Sequence, residues 1–125
     1  MNIFRNNKIH KLPPTVKAVE KHGNLSVVKL AGAFDFNTIS SVENVMKEHR
    51  DHLDQDVVLD FKEVTHIDTS TLAVLIYIMD RLKQKHRKLG LINCNKLVRD
   101  YIKISKLESV IHVYKTLKDA INASG

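Results

Sequence analysis

Apolar and polar positions alternate twice near the start of the chain, over Val16 to Glu20 and again over Leu25 to Ala31, with His22-Gly23-Asn24 between them. A period of two sends successive side chains to opposite faces, so the pattern predicts a hairpin of two half-buried strands, the second closed by Gly32. Phe34 and Phe36 flank Asp35, and Asn37 or Thr38 is placed to cap a helix. From there Ile39, Val42, Val45 and Met46 recur at helical spacing while Glu43, Lys47 and Glu48 face away, and the helix fades between Glu48 and Asp56. Val57-Val58-Leu59-Asp60-Phe61 is almost continuously apolar, as a central strand covered on both faces requires, and residues 62 to 70 read as a connection.

The segment Leu72 to Lys88 is apolar early and basic late. Leu72, Leu75, Ile76, Met79 and Leu82 make one helical stripe, the late Lys and Arg residues suit the negative end of the helix dipole, and Gly90 suits its termination. Val74 and Tyr77 fall outside the stripe and can serve core or surface. Leu89 to Asn93 follows as a strand, Lys96 to Ile104 as a shorter helix and Val110 to Tyr114 as a last strand, with Thr116 capping a final helix through Ala123. Two strands followed by alternating helices and strands imply an α/β fold with a partly parallel sheet, because helical crossovers join parallel strands. Residues 1 to 14, polar and basic and ending in Pro13-Pro14, read as an N-terminal tail, and residues 15 to 125 as a single domain.

Composition narrows the picture. A chain of 125 residues that is 43% hydrophobic has room for one real core, and with 6% aromatics and no Trp that core must rest on Val, Ile and Leu. The formal charge of +6 leaves anionic partners open, but the densest basic cluster, Arg81, Lys83, Lys85, Arg87 and Lys88, reads as the wet end of one helix. It lacks the aromatic interleaving of nucleic-acid modules, so nucleic acid is not the favoured partner. Cys94 is the only cysteine, which precludes an internal disulfide and suits a reducing, cytoplasmic location. It closes the strand segment Leu91-Ile92-Asn93, where a buried thiol is commoner than a nucleophile. No apolar run has the length of a membrane span, and Met1 to Lys11 lacks a signal-peptide core.

Candidate chemistry concentrates in Thr65-His66-Ile67-Asp68-Thr69-Ser70-Thr71, where loop passes into helix. Its hydroxyls are suited to capping free backbone donors. Asp35 and Asp68 come close if the second strand ends beside this loop. Two carboxylates suggest acid catalysis, but no substrate pocket, oxyanion donors or positioned base accompany them, and the reading is not an enzyme. His49 and His52 can share a helix face without further ligands to complete a metal site, and His66 is nearest the hydroxyl cluster. No cofactor or metal is implied.

Three segments resemble the STAS (anti-sigma-factor antagonist) family, over roughly residues 15 to 122. Gly32-Ala33-Phe34-Asp35 is similar to the family's strand-closing G-x-[LIF]-D, and Val57 to Phe61 followed by Ile67-Asp68-Thr69-Ser70 is similar to its strand and hydroxyl switch. Ser105-Lys106-Leu107 resembles its S-G-L turn, with Lys106 where Gly is usual. The switch motif with its upstream strand is the specific part; Thr71 stands where the family has Gly or Ala.

The resemblance implies a mixed four- to five-stranded sheet with helices packed chiefly on one face. It also implies partner switching: an anti-sigma factor with Ser/Thr kinase activity binds the unmodified protein and phosphorylates it, and a metal-dependent Ser/Thr phosphatase restores it. The acceptor is then Thr69, with Ser70 as the alternative, and Asp35, Asp68, Thr69, Ser70 and Thr71 form the partner-binding set beside the exposed face of the following helix. A phosphate there adds nearly two negative charges beside Asp68, which the helix N-terminus accommodates and an acidic or apolar partner does not. The alternative is a STAS module that is not phosphorylated and assembles with other STAS proteins or with a transporter.

Overall fold

The computed structural model describes residues 12–48 and 55–124. Most of the N-terminal tail, the fading end of the first helix, and His49 and His52 lie outside the described residues. Strand β1 (Val16–His22) turns at Gly23, whose φ of +62° is the left-handed conformation glycine adopts at little cost, and pairs antiparallel with β2 (Leu25–Phe34). Then follow α1 (Phe36–Glu48), β3 (Asp56–Ile67), α2 (Thr69–Gln84), β4 (Leu89–Ile92), α3 (Lys96–Ile104), a 3-10 turn at Leu107–Ser109, β5 (His112–Tyr114) and α4 (Leu117–Ser124). The sheet runs in the order β1-β2-β3-β4-β5, and the pairs from β2 onward are parallel. This is the mixed α/β sheet that the element order predicts.

Consecutive residues of the central strands feed two cores. Val28, Leu59 and Leu91 face Ile39 and Val42 of α1, Leu75 and Ile78 of α2, and Val98 and Ile102 of α3. Their neighbours Val27, Val58 and Ile92 face Ala120 and Leu117 of α4. Three helices thus cover one face and one the other, which is why the run Val57 to Phe61 is apolar without alternation. Each such side chain removed from water stabilises the fold by roughly 1.5–3 kcal/mol.

Five readings of the sequence are corrected. Residues 62 to 67 continue β3 rather than forming a connection, and β2 likewise runs past Gly32 to Phe34. From Lys29 to Ala31 β2 advances two residues while β3 advances three, from Asp60 to Glu63; from Gly32 to Ala33 it advances one while β3 advances two, from Val64 to His66. Two extra residues therefore bulge from β3, and its buried positions fall at Phe61, Val64 and Ile67, a spacing of three that hides the strand from a period-two reading.

The helix α2 begins at Thr69 and is rotated relative to the predicted stripe, so Leu72, Leu75, Ile78 and Leu82 are buried while Ile76 is exposed and Met79 lies at the edge. Gly90 does not end α2. The chain reverses at His86 (φ 60°), where the N–H groups of His86 and Arg87 reach back to the carbonyls of Lys83 and Leu82 at 2.9 and 2.8 Å. Gly90 sits instead inside β4, where a Cβ would lie 3.1 Å from the Tyr114 ring. The last strand starts at His112, because Leu107–Ser109 is taken up in the 3-10 turn. The predicted Thr116 cap is present, its hydroxyl accepting from the Asp119 N–H at 3.2 Å.

Candidate functional site

The last pair of the β2–β3 ladder is Phe34 with Ile67, so the two parallel strands end level and the next residues are Asp35 and Asp68. Each aspartate caps the helix that follows. Asp35 Oδ1 accepts from the Thr38 N–H at 3.0 Å while Thr38 Oγ1 accepts from the Asp35 N–H at 2.8 Å, and the Asp35 carbonyl takes the first helical bond from Ile39. This reciprocal arrangement is a capping box. It corrects the predicted cap at Asn37 or Thr38: the cap is Asp35, and Thr38 is its partner three residues on.

Asp68 has the same role at α2. Its Oδ1 accepts from the Thr71 N–H, the Thr71 hydroxyl and the Ser70 hydroxyl, each at 2.9 Å. Both carboxyls are held below the usual carboxylate range, Asp68 first by the Thr71 N–H and Asp35 first by the Thr38 N–H. The charge of Asp68 pushes the pKa of Asp35 the other way, which places the two groups in each other's field as the sequence anticipates.

The three hydroxyls differ sharply in access. Thr71 is completely buried and turned inward onto Asp68, and Ser70 is half-buried and engaged with the same oxygen. Thr69 is exposed, and its Oγ1 lies 2.7 Å from the Tyr101 hydroxyl. Of the five residues singled out in the sequence, Asp35, Asp68, Thr69 and Ser70 reach the paired helix mouths, whereas Thr71 supports Asp68 from within. Phe36, 59% exposed, adds an apolar side chain beside Asp35. His66 is exposed near the end of β3. Among the described residues no group of His, Cys, Asp and Glu is placed to hold a metal ion.

Two participants are missing from the sequence reading, Asn95 and Tyr101. Asn95 precedes a helical pattern and so carries a local signal. Asn95 caps α3 by accepting from the Val98 N–H at 2.8 Å, and its amide donates to the Val64 carbonyl at 3.1 Å, tying α3 to the end of β3. Tyr101 meets Thr69 only through the tertiary fold and carries no local signal.

The profile of the STAS domain family matches residues 16–120. The chain belongs to the STAS domain family. Among curated proteins this STAS domain is 22% identical over 86 residues to the anti-sigma-B factor antagonist of Staphylococcus aureus, covering 69% of this chain and 80% of that one. An anti-sigma factor antagonist from Mycobacterium paratuberculosis superposes with a TM-score of 0.74 at 24% identity, over 90% of this chain and 97% of that one. The Bacillus cell fate determinant SpoIIAA in its phosphorylated form gives a TM-score of 0.64 at 16% identity, over 88% and 99%. At these identities the structural likeness is one of fold. Within the STAS domain, Lys106 adopts a φ of 60°, which accounts for the glycine usual in the S-G-L turn. No helix among the described residues is long and apolar enough to cross a membrane.

Proposed function

We propose that this STAS domain is an anti-sigma-factor antagonist that works by partner switching and has binding, not catalysis, as its output. An anti-sigma factor with Ser/Thr kinase activity docks on the helix mouths and transfers phosphate to Thr69; the modified protein lets go, and a metal-dependent Ser/Thr phosphatase resets it in the cytoplasm. The observation that carries this reading is the exposure of Thr69, against a half-buried Ser70 and a buried Thr71, beside the Asp68 cap. It is supported by curated relatives named anti-sigma-B factor antagonists and by a fold shared with SpoIIAA, which has been solved in unphosphorylated and phosphorylated forms.

The mechanism is local. A phosphate on Thr69 carries about −1.5 to −2 charges at neutral pH. The α2 N-terminus offers it free N–H groups, so the fold need not change. Asp35 and Asp68 already make this surface negative, and the added charge opposes any partner that meets it with apolar or acidic groups.

One observation favours a second reading, a STAS module that binds without modification, with other STAS proteins or a transporter as partner. The Thr69 hydroxyl is already bonded to Tyr101. The two readings separate on incubation with ATP and the anti-sigma kinase encoded in the same genome, followed by mass spectrometry. Partner switching requires one phosphate on the wild type, none on Thr69→Ala, and weaker kinase binding after transfer. An unmodified wild type that still binds the kinase establishes the second reading.

A further inference from the structure

At the other end of α2, about 24 Å from Thr69 along the helix axis at 1.5 Å per residue, lies an open concavity of about 460 Å³. Lys83, His86, Arg87, Lys88 and His112 line it, together with the Ser109 hydroxyl. Lys83 belongs to the last turn of α2, where the helix dipole alone accounts for a cation. Lys88 precedes β4 and His112 opens β5, so these groups come from separate elements and owe nothing to that dipole.

Among the described residues no carboxylate lines the concavity, and Asp56, outside it, accepts the Lys88 N–H at 2.9 Å. Among the described residues, no ion pair engages Lys83 or Lys88. Lys88 is exposed and Arg87 half-buried. Met79, Leu89 and Val110 give the lining an apolar part. His86 joins the lining from a left-handed backbone (φ 60°) that glycine would adopt at less cost.

We propose that this concavity is a binding site for a small phosphorylated compound with an apolar or aromatic portion, a ligand role separate from the Thr69 surface and independent of it. Lys83 and Lys88 supply point-charge donors to phosphate oxygens, and the apolar part of the lining receives the remainder of the molecule. The volume lies in the range of small-molecule sites, ~300–1,000 Å³. A long polyanion has no need of a concave, partly apolar lining, which argues against nucleic acid at this place.

The test is a titration of the full chain with inorganic phosphate and with phenyl phosphate, followed by backbone amide NMR. The expected result is saturable shifts confined to Lys83–Leu89 and Ser109–His112, with phenyl phosphate binding more tightly than phosphate and a Kd of about 1 mM or below. Lys83→Gln with Lys88→Gln should weaken phenyl phosphate at least tenfold. Both lysines are exposed, so an unchanged melting temperature marks the variant as folded. Three outcomes overturn the proposal: shifts that grow linearly without saturating, shifts spread over lysines elsewhere, or binding of duplex DNA or anionic vesicles where phenyl phosphate fails. Because Thr69 plays no part, Thr69→Ala must bind phenyl phosphate as the wild type does.

Discussion

The Thr69 hydroxyl stands 2.7 Å from the Tyr101 hydroxyl, joining the first turn of α2 to the middle of α3 across 32 positions of sequence. The buried side chains Val98 and Ile102 fix α3 on the sheet, and Asn95 pins its start to β3, so Tyr101 is held in place by packing rather than by the bond it makes. The Thr69 hydroxyl is therefore engaged by a neighbour that the proposed kinase would have to displace. Tyr101→Phe removes this contact and little else. Under the proposed function, transfer of phosphate to Thr69 is expected to speed up by about 3–10-fold, read as initial rates of phosphate incorporation, while stability changes by less than about 1 kcal/mol, because the bond lies at the surface. Equal rates in the two proteins would show that Tyr101 does not restrain the acceptor.

The two capping aspartates make stability depend on pH. Their folded pKa values lie below the unfolded value near 3.8. Their stabilisation is therefore complete above that value and lost as pH falls through the folded values. The melting temperature of the wild type should decline as pH is lowered from about 5 towards 2. Asp68→Asn should melt several degrees lower at pH 7 and show a shallower decline, since one of the titrating groups is gone. A variant that parallels the wild-type curve throughout would show that Asp68 is not a stabilising cap.

Lys106 occupies a left-handed conformation without being glycine. That backbone costs an L-residue about 1–2 kcal/mol, of which glycine recovers part after its larger unfolded-state entropy is counted. Lys106→Gly is expected to raise stability by about 0.5–1 kcal/mol in urea unfolding, whereas Lys106→Ala should give no gain. Equal effects of the two substitutions would remove backbone conformation as the cause.

Gly90 presents the opposite case. A Cβ there would come within 3.1 Å of Tyr114 Cε2 and 3.5 Å of Val58 Cγ2. Gly90→Val should destabilise by about 1–3 kcal/mol through overpacking. Tyr114→Ala in the same chain should relieve part of that loss, a coupling measurable in a double-mutant cycle.

Cys94 is buried, and burial pushes its thiol up to about 12. The native protein should react with a thiol reagent at pH 8 far more slowly than the urea-unfolded chain. Comparable rates would place Cys94 at the surface.

How far the sequence reaches depends on the range of the interactions involved. Element order, the hairpin and the doubly covered strand Val57 to Phe61 are legible because each rests on local period or local run length. The start of α2 is likewise marked by three hydroxyl residues, but the cap is Asp68 rather than the hydroxyls the sequence offers, and Ser70 and Thr71 donate to it instead. The second half of β3 is not legible, since its bulges convert a period of two into a period of three that imitates neither strand nor helix. The α2 stripe was ambiguous because Leu72, Leu75 and Leu82 fit two adjacent helix faces, and only packing against the sheet selects Ile78 over Ile76. The Tyr101 contact depends on the placement of a whole helix, and no nearby residue encodes that.

The bulged half of β3 sets how far the chain between Phe61 and Ile67 may vary. Every second residue of β2 keeps company with every third of β3, Gly32 with Val64 and Phe34 with Ile67. Deleting one residue from this stretch would draw Asp68 back by about 3.3 Å and turn it to the other side of the sheet. Substitutions there change a side chain, but an insertion or deletion would put the two helix entrances out of step. Chain length in this segment works as a ruler, and the hydroxyl at its far end can be presented only while the ruler keeps its measure.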